Sequence, residues 1–260
     1  MSPVSAADVA ALRARTGVSI LACKQALEEA NGDQEAAIDI LRKKGIAGAV
    51  KKADREQHEG AIFVAEDGVK AALVLIRCET DFVARSDDFL NFGRGIVDHI
   101  LADGKEAAVS TMEPKIADIV QKLAEHISIS VEDIHEVSAK SVGTYVHSNR
   151  KIGVVVGLDK DGSADLAKDV AMHAAAMNPQ YVKPEDVPAA AVEREHTIWD
   201  EQMKDDKKPA EIMEKIMQGK ERKFREENSL ISQSFVKDQN LTVKQYLGDA
   251  NVTQYLRIAA

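Results

Sequence analysis

The sequence predicts an α+β fold: an N-terminal module of three short helices, a core of two α+β subdomains with small antiparallel sheets, and a protruding antiparallel helical hairpin. Apolar residues recur at helical spacing at the start of the chain, a strand–turn–strand–helix unit then occurs twice, and a narrow helical stripe follows. The predicted divisions are a helical domain at 1–45, a linker at 46–59, an N-subdomain at 60–140, and a C-subdomain at 141–260 with the hairpin inserted at about 189–227.

Boundary signals divide residues 1–45 into three helical segments. Ser5 and Asp8 have the spacing of a capping box at the start of the first segment. Gly32 is placed to end the second helix, and Asp33 to cap the third. Three helices of about three turns each bury only a small core, so we expect a compact accessory module.

The first half of the core begins with a β-hairpin signal. AIFVAE and VKAALVLIRCE flank Asp67-Gly68, and Asp-Gly is the strongest two-residue turn signal for a hairpin. A helix is predicted from about Asp87 to Leu101 and another from about Pro114 to His126. ISIS, at 127–130, alternates like an edge strand.

The second half repeats this order in outline. GTYVHSNRKIGVVVGLDKDG again predicts a strand, a polar turn and an apolar strand, and SADLAKDVAMHAAAM predicts the helix that follows. Within 189–227, two narrow apolar stripes flank the break KDDKKP, and Pro209 suits the first position of the second helix. Short strands and one helix, at about Thr242–Leu247, complete the chain.

Composition bounds the class of protein. Hydrophobic residues make up 45% of the 260, and the net charge of −9 disfavours a protein that wraps nucleic acid over its whole surface. Cys23 and Cys78 form no CxxC pair, so we expect both to be reduced. The N-terminus lacks signal-peptide features and the longest aliphatic run, Ala71 to Ile76, is too short for a membrane span. We therefore expect a soluble, cytoplasmic protein with no membrane partner.

Enzyme signatures are absent from the sequence. It contains no GxxxxGK[ST] phosphate loop, no GxGxxG after a strand, no GxSxG and no HExxH. The seven histidines are scattered and share no metal-ligand spacing. The sequence therefore predicts a protein that is not an enzyme and that needs no cofactor or metal.

One basic cluster offers a nucleic-acid alternative. Its members are Arg42, Lys43, Lys44, Lys51, Lys52 and Arg55. They could contact phosphates, as in a ribosome- or RNA-associated binding module that uses the basic linker. The cluster has no interleaved aromatic residues and surrounds a predicted helix C-terminus, where basic residues are favoured on other grounds. We therefore expect no direct nucleic-acid partner and treat the RNA module as the alternative.

The segment CETDFVARSDDF, at 78–89, stands between the longest apolar strand and a helix, so Asp81 and Phe82 should lie on a turn. In one interpretation, Phe82 fills the local core and Asp81 accepts hydrogen bonds from turn amides. In the other, an acid and an aromatic residue are presented together to a partner protein. Composition leaves both interpretations open.

Four stretches together resemble the elongation factor Ts family, the guanine-nucleotide exchange factors of the GTPase elongation factor Tu. They are TDFVARSDDF, the N-terminal RTGVSILACKQALEEANGDQEAAIDILRKKG, and YVHSNRKIGVVV and AMHAAAMNPQYVKPEDV, which resemble the family's second-half motifs in the same order. The likeness runs from about residue 8 to about residue 235. The resemblance implies a ubiquitin-associated-like N-terminal domain, elongation factor Tu as partner in its nucleotide-free and GDP-bound forms, and exchange of GDP for GTP. Self-association is left open.

The resemblance also implies contact residues. Lys24 matches a contact with the nucleotide-binding domain of the GTPase, and His147 matches the histidine of the family's YxH motif. Asp81 and Phe82, with Thr80 and Val83 beside them in the TDFVA signature, match the pair that intrudes beside the Mg²⁺ and phosphate region.

The chain departs from the family pattern at two contacts. Ile20-Leu21-Ala22 stands where Met-Met-Asp is frequent, and Leu123-Ala124 stands where Ile-Gly is frequent, before Glu125. We retain Leu123 and Ala124 as partner-binding candidates.

Overall fold

The computed structural model describes residues 4–16, 18, 20–41, 55–204 and 209–260. The chain divides into two compact units, which are described separately. The first comprises Met1–Val137, Val146–Gly153 and Ala259–Ala260, and the second Ser138–Tyr145 and Val154–Ile258. Helices and small sheets alternate along both, which confirms the α+β class. No helix among the described residues has the length and apolarity needed to cross a membrane.

Three N-terminal helices form as predicted, at α1 (Ala6–Thr16), α2 (Ile20–Glu29) and α3 (Gln34–Leu41). The capping box is present, because the Asp8 amide donates to Ser5 Oγ at 3.1 Å and the Ser5 amide donates to Asp8 Oδ2 at 3.2 Å. Gly32 has a φ of 90° and its amide donates to the Leu27 carbonyl at 2.8 Å, which ends α2. Asp33 caps α3 through the Ala36 amide at 2.9 Å. These helices enclose a small core of their own that includes Leu12, Cys23, Leu27, Ala37 and Leu41.

The first sheet has the order β1-β2-β3, with β1 at Glu59–Glu66, β2 at Lys70–Cys78 and β3 at Ile134–Ser138. β1 and β2 pair antiparallel, which confirms the hairpin. Its turn lies one residue later than predicted. The amide of Asp67 pairs with the carbonyl of Lys70 at 3.0 Å, so the two central residues are Gly68 and Val69.

Hydrogen bonds to the Asp67 side chain explain this shift of the turn. Oδ1 of Asp67 accepts from the amides of Val69 at 3.0 Å and Lys70 at 2.7 Å, so the aspartate acts beside the turn instead of within it. Gly68 takes the positive φ of 94° that the turn requires.

Three helices follow β2: α4 (Asp81–Ala84), α5 (Asp87–Asp103) and α6 (Lys105–Leu123). The prediction that the last helix begins near Pro114 is wrong, because α6 contains Pro114 in its interior. A proline there removes a hydrogen bond and disfavours the helix by about 3 kcal/mol. Ala108 and Met112, both buried in the core, continue the apolar stripe N-terminal to the proline and hold that half of the helix.

The predicted edge strand at 127–130 is reduced to a single bridge. Ser128 exchanges two backbone hydrogen bonds with Arg77, at 3.0 and 3.2 Å. Ile127 is buried in the core, and Ser130 caps a short 3-10 turn at Val131–Asp133 instead of pairing. The third strand is β3, which the sequence analysis did not predict.

In the second half, β4 (Ser141–Val146) and β5 (Ile152–Leu158) precede α7 (Ala164–Met177), as predicted. The sheet is completed by β8 (Val252–Ala259), in the order β4-β5-β8. A small two-stranded sheet consists of β6 (Ser234–Phe235) and β7 (Asp238–Thr242). The predicted tail helix forms as α10 (Val243–Leu247), with Thr242 and Gln245 as its capping box.

The helical hairpin consists of α8 (Ala189–Met203) and α9 (Ala210–Glu227). Its helices pack on each other through Trp199 and Phe224, whose ring centroids are 6.0 Å apart, and through His196, which lies 3.0 Å from Glu221. Pro209 is the N-cap of α9 and not its first residue, as its ψ of 144° shows. Residues 205–208 of the predicted break, like residues 42–54 of the predicted linker, lie outside the described residues.

Candidate partner-binding site

The TDFVA segment forms the short helix α4, so Asp81 and Phe82 occupy a helical turn instead of an irregular one. Thr80 is the N-cap, and its Oγ1 accepts from the Val83 amide at 3.3 Å. Ala84 is buried, and the partly buried Val83 packs against the same core. These contacts fix the orientation of the helix.

Phe82 is 83% exposed, the largest exposure among the large hydrophobic residues of the described chain. The interpretation that Phe82 fills the local core is therefore wrong. Its companion, Asp81, forms an ion pair with Arg85 one turn later at 3.3 Å, and no amide among the described residues donates to its carboxylate. An exposed aromatic side chain on a fixed helix has the form of an interface anchor.

A reciprocal clamp of two glutamates holds the start of α4. The Glu125 carboxylate accepts from the amides of Glu79 and Thr80, both at 3.1 Å, and from the Thr80 hydroxyl at 2.6 Å. In return, the Glu79 carboxylate accepts from the His126 amide at 2.5 Å and pairs with Arg55 at 3.2 Å. The segments that follow β2 and α6 are thus bonded together.

Electrostatics favour the ionised form of Glu79 in this clamp. Burial raises the pKa of Glu79, but the hydrogen bonds from His126 and Arg55 outweigh it and hold the pKa below its ordinary value. Burial, and after it the charge of Glu125, raises the pKa of the neighbouring Cys78 thiol to about 12, so Cys78 is a neutral core residue. Sequence reasoning missed the clamp because its two halves lie more than forty residues apart and share no motif.

Leu123 and Ala124 lie at the end of α6, directly before Glu125. Leu123 is partly buried and packs against the core. Ala124 has a φ of 59°, in the left-handed region, and its amide donates to the Val120 carbonyl at 3.1 Å. This is the helix-terminating conformation that glycine prefers, so the departure from the family pattern places an alanine in a glycine-type position.

A cleft of about 470 Å³ lies beside α4, within the first unit. Its lining residues are Glu59, Gly60, Ala61, Asp81, Ala84, Arg85, Leu90, Ser148, Asn149, Arg150 and Lys151. Asp81 and Ala84 of α4 line the cleft together with Ser148–Lys151 of the turn between β4 and β5. The cleft therefore brings Asp81 together with the segment that begins at His147.

The turn that carries His147 is rigidly bonded. Asn149 Oδ1 lies 3.0 Å from His147 Nδ1 and accepts from the Lys151 amide at 3.0 Å. The Arg150 carbonyl accepts from the Ile62 amide of β1 at 2.9 Å, and Lys151 pairs with Glu59. His147 itself is exposed beside the cleft.

Lys24 does not contribute to this cleft. It lies on α2, where it is more than half exposed and forms a weak ion pair with Glu28 at 3.9 Å. Ile20 and Leu21, one turn earlier on the same helix, are 52% and 63% exposed. The N-terminal helices thus carry a separate exposed surface of mixed character.

The described residues contain no group of three His, Cys, Asp or Glu side chains placed to hold a metal ion. Of the basic cluster at 42–55, only Arg55 lies within the described chain, where it pairs with Glu79. The remaining five cations lie outside the described residues.

Comparison with known proteins connects this chain to a family. The family model described as Elongation factor TS matches residues 79–259. The chain is 46% identical over 246 residues to the elongation factor Ts of Teredinibacter turnerae, covering 92% of this chain and 84% of that protein. It is 44% identical to that of Idiomarina loihiensis, covering 98% and 90%, and 47% identical to that of Arthrospira platensis, covering 92% and 100%.

Proposed function

This chain belongs to the elongation factor Ts family of translation elongation factors, and from that premise we propose that it binds elongation factor Tu and promotes the exchange of GDP for GTP. The observation that carries the proposal is the 83% exposure of Phe82 on a capped and clamped helix. Keeping that ring in water stabilises nothing in the isolated chain, so its burial in a complex would supply free energy that folding does not use.

The proposed mechanism is displacement by binding, without covalent chemistry. An exchange factor binds the nucleotide-free GTPase more tightly than the nucleotide-bound form, and by reciprocity it weakens nucleotide binding by the same factor. Mg²⁺ and backbone amides hold the phosphates of the nucleotide. Phe82 would wedge between elements beside the metal, while Asp81 would compete for the hydrogen bonds that orient the metal ligands.

The free energy needed to accelerate nucleotide release is larger than one contact with the GTPase can supply. Release that is faster by about 10⁴-fold corresponds to a barrier lower by roughly 5.5 kcal/mol. Burial of one phenylalanine supplies about 1.5–3 kcal/mol. Contacts by His147 beside the cleft, by Lys24 on α2, and by the segment containing Leu123 and Ala124 would supply the remainder.

The domain division proposed with this function has four parts: a three-helix domain at 1–45, a linker at 46–59, an N-subdomain at 60–140 and a C-subdomain at 141–260. The three-helix domain would add a second contact with the GTPase. Its small separate core is consistent with an accessory module.

The test is release of a fluorescent GDP analogue, mant-GDP, from elongation factor Tu with and without the full chain. We expect release to accelerate with concentration at micromolar levels or below. Unchanged release would contradict the proposal. Tight binding to RNA that falls steeply with salt, in place of binding to the GTPase, would support the alternative of an RNA-associated module.

A further inference from the structure

The cleft beside α4 contains a cation without an anionic partner. Two of its cations are neutralised, since Arg85 pairs with Asp81 at 3.3 Å and Lys151 pairs with Glu59. The Arg150 guanidinium instead lies over the Phe63 ring, 5.3 Å from its centroid, and no carboxylate among the described residues pairs with it. Arg150 is thus a half-buried cation that lines the cleft and has no carboxylate partner among the described residues.

A second guanidinium, that of Arg94, also has no carboxylate partner among the described residues, and its charge acts on Arg150. Arg94 of α5 bonds only to the amide oxygen of Asn91, at 3.1 Å, and to no carboxylate of the described chain. Its neighbour Gly93 lets α5 approach Phe63 closely, because a Cβ there would lie 2.2 Å from the ring. Burial, and after it the charge of Arg94, lowers the pKa of Arg150, so the two cations repel each other.

Rigid elements hold Arg150 in this unfavourable place. Its φ of 56° is in the left-handed region, which costs a non-glycine residue roughly 1–2 kcal/mol. The backbone is fixed there by the hydrogen bonds from the Arg150 amide to the His147 carbonyl, 2.8 Å, and from the Ile62 amide to the Arg150 carbonyl, 2.9 Å. The Cα of Arg150, from which the side chain extends over Phe63, is therefore fixed relative to β1.

We infer that this cleft receives an acidic side chain of the GTPase, whose carboxylate pairs with Arg150 under the influence of Arg94. The inference rests on the proposed function and adds to it the chemistry of one contact. An Arg–carboxylate pair is planar and bidentate, which would fix the orientation of the partner relative to α4, the helix that carries Phe82. The charge on the cleft would also speed the encounter.

A carboxylate fits the cleft better than a phosphate does. The carboxylates of Asp81 and Glu59 already line it, so the surplus of positive charge is small and suits a single negative charge. A phosphate would bring a larger charge close to both carboxylates, on a chain whose net charge is already −9. We therefore commit to an acidic residue of the partner protein and treat free phosphate as a competing outcome.

The first experiment compares variants of the full chain that remove positive charge near the cleft or far from it, in stopped-flow binding to nucleotide-free elongation factor Tu. We expect R94Q/R150Q to associate about tenfold more slowly at low salt, with a smaller difference at high salt. K70Q removes a positive charge at the far end of the β1–β2 hairpin, roughly 25 Å from Glu59, and should change the rate by less than about twofold. Equal rates for R94Q/R150Q and K70Q would overturn the inference.

Loss of packing on Phe63 is separated from loss of charge by two further variants. R94Q changes only an exposed residue and should lower the association rate by itself. R150K keeps the charge that steers the encounter and should retain most of the association rate, although the complex should dissociate faster because lysine cannot form the bidentate pair. Thermal unfolding of each variant shows whether the fold is intact. If R150K were as slow as R94Q/R150Q, the role of Arg150 would be packing and not charge.

A double-mutant cycle identifies the acidic partner. Each exposed Asp or Glu in the nucleotide-binding domain of elongation factor Tu is changed to its amide and tested against wild type and R150Q. We expect one position to couple to Arg150 by about tenfold or more, and no coupling anywhere would contradict the inference. Inorganic phosphate that inhibits binding more than chloride at equal ionic strength would assign the cleft to a free oxyanion and overturn it.

These results are distinguishable from failure of the proposed function. If the wild-type chain accelerates mant-GDP release while R94Q/R150Q binds as wild type does, only the carboxylate contact is wrong. If the wild-type chain neither binds the GTPase nor accelerates release, both proposals are wrong.

Discussion

At the scale of single residues, Phe82 is the position where a proposed function can be tested without a change in folding. Its ring is almost fully exposed while its neighbours Val83 and Ala84 pack against the core, so the helix would survive without it. We expect D81A/F82A to keep its melting temperature within a few degrees, because substitutions on an exposed surface change the free energy of unfolding by about 0.5 kcal/mol or less. Exchange should fall by about 10- to 100-fold, the equivalent of one buried aromatic side chain.

Mant-GDP release and thermal unfolding together check this prediction. V69A, which truncates another exposed apolar side chain on the turn between β1 and β2, is the matched control and should leave release unchanged. Unchanged exchange in D81A/F82A would contradict the role given to this pair, as would a loss of activity in proportion to a loss of folded protein.

A substitution at Ala124 measures how much the strained backbone beside the clamp lowers the free energy of unfolding. Its left-handed φ of 59° disfavours any residue with a Cβ, so A124G should raise the free energy of unfolding by roughly 1 kcal/mol. The control is A117G within α6, where glycine should lower stability by about the same amount. Urea unfolding measures both, and destabilisation by A124G would show that the strain assigned to this position is absent.

His173 predicts a pH dependence of stability in the second unit. It is fully buried, Nδ1 accepts from the Val236 amide at 3.1 Å, and Nε2 lies 3.0 Å from Gln233 Oε1, an arrangement that requires the neutral ring. Burial lowers the pKa of His173, and the hydrogen bond to Gln233 offsets this only in part. The folded state then binds fewer protons than the unfolded state, so stability is present above about pH 6.5 and declines below it.

The expected decline is at most about 1.4 kcal/mol per pH unit from this one group. Urea unfolding between pH 8 and pH 5.5 measures it, with H173Q as the comparison. H173Q should be less stable at pH 8 and should show a shallower decline, since it lacks the titrating ring. Parallel pH profiles for the two proteins would contradict the assignment.

At the scale of elements, the sequence predicted helices and hairpins where local signals act alone. The capping box at Ser5 and the glycine at Gly32 each involve neighbours within a few residues, and both form as expected. Where the predicted elements were wrong or missing, contacts between residues distant in sequence determine the structure. Pro114 was expected to begin a helix, but burial of Met112 extends α6 through it. β3 was missed because its place beside β2 depends on a pairing across more than fifty residues.

The helical hairpin is the element whose removal should be tolerated. Trp199 packs on His196 and Phe224 within the hairpin, with ring centroids 5.2 and 6.0 Å apart. Arg225, at its base, donates to the carbonyls of Pro184 and Val187 at 3.3 and 3.0 Å and is retained. Replacing Val192–Phe224 by a short Gly-Ser linker should leave the remainder folded and most of the exchange activity intact.

Circular dichroism melts and mant-GDP release on this deletion variant check the prediction. W199A in the full-length chain is the control: it should weaken the hairpin but leave the remaining cooperative unfolding in place. If the whole deletion variant unfolded, the hairpin would be part of the core. Its apolar stripe would then cover apolar surface of the remaining protein, which the deletion would expose to water.

At the scale of the whole molecule, the site combines features that differ in how far sequence can predict them. Asp81, Phe82 and His147 were identified by family resemblance, and the structure places Asp81 and the turn that begins at His147 around one cleft. Glu125 and Arg150 were not predicted, because a clamp and an unpaired cation are properties of three-dimensional neighbours. The net charge of −9 gave no indication of a cationic cleft, since it averages over both signs.

The central claim is that this chain and GDP oppose each other's binding to elongation factor Tu, with Phe82 carrying much of the opposition. The most direct measurement is the thermodynamic cycle: the affinity of elongation factor Tu for GDP with and without saturating chain, and its affinity for the chain with and without GDP. Both affinities should weaken by the same large factor, and F82A should reduce that factor by about tenfold or more. A GDP affinity that the bound chain leaves unchanged would contradict the account.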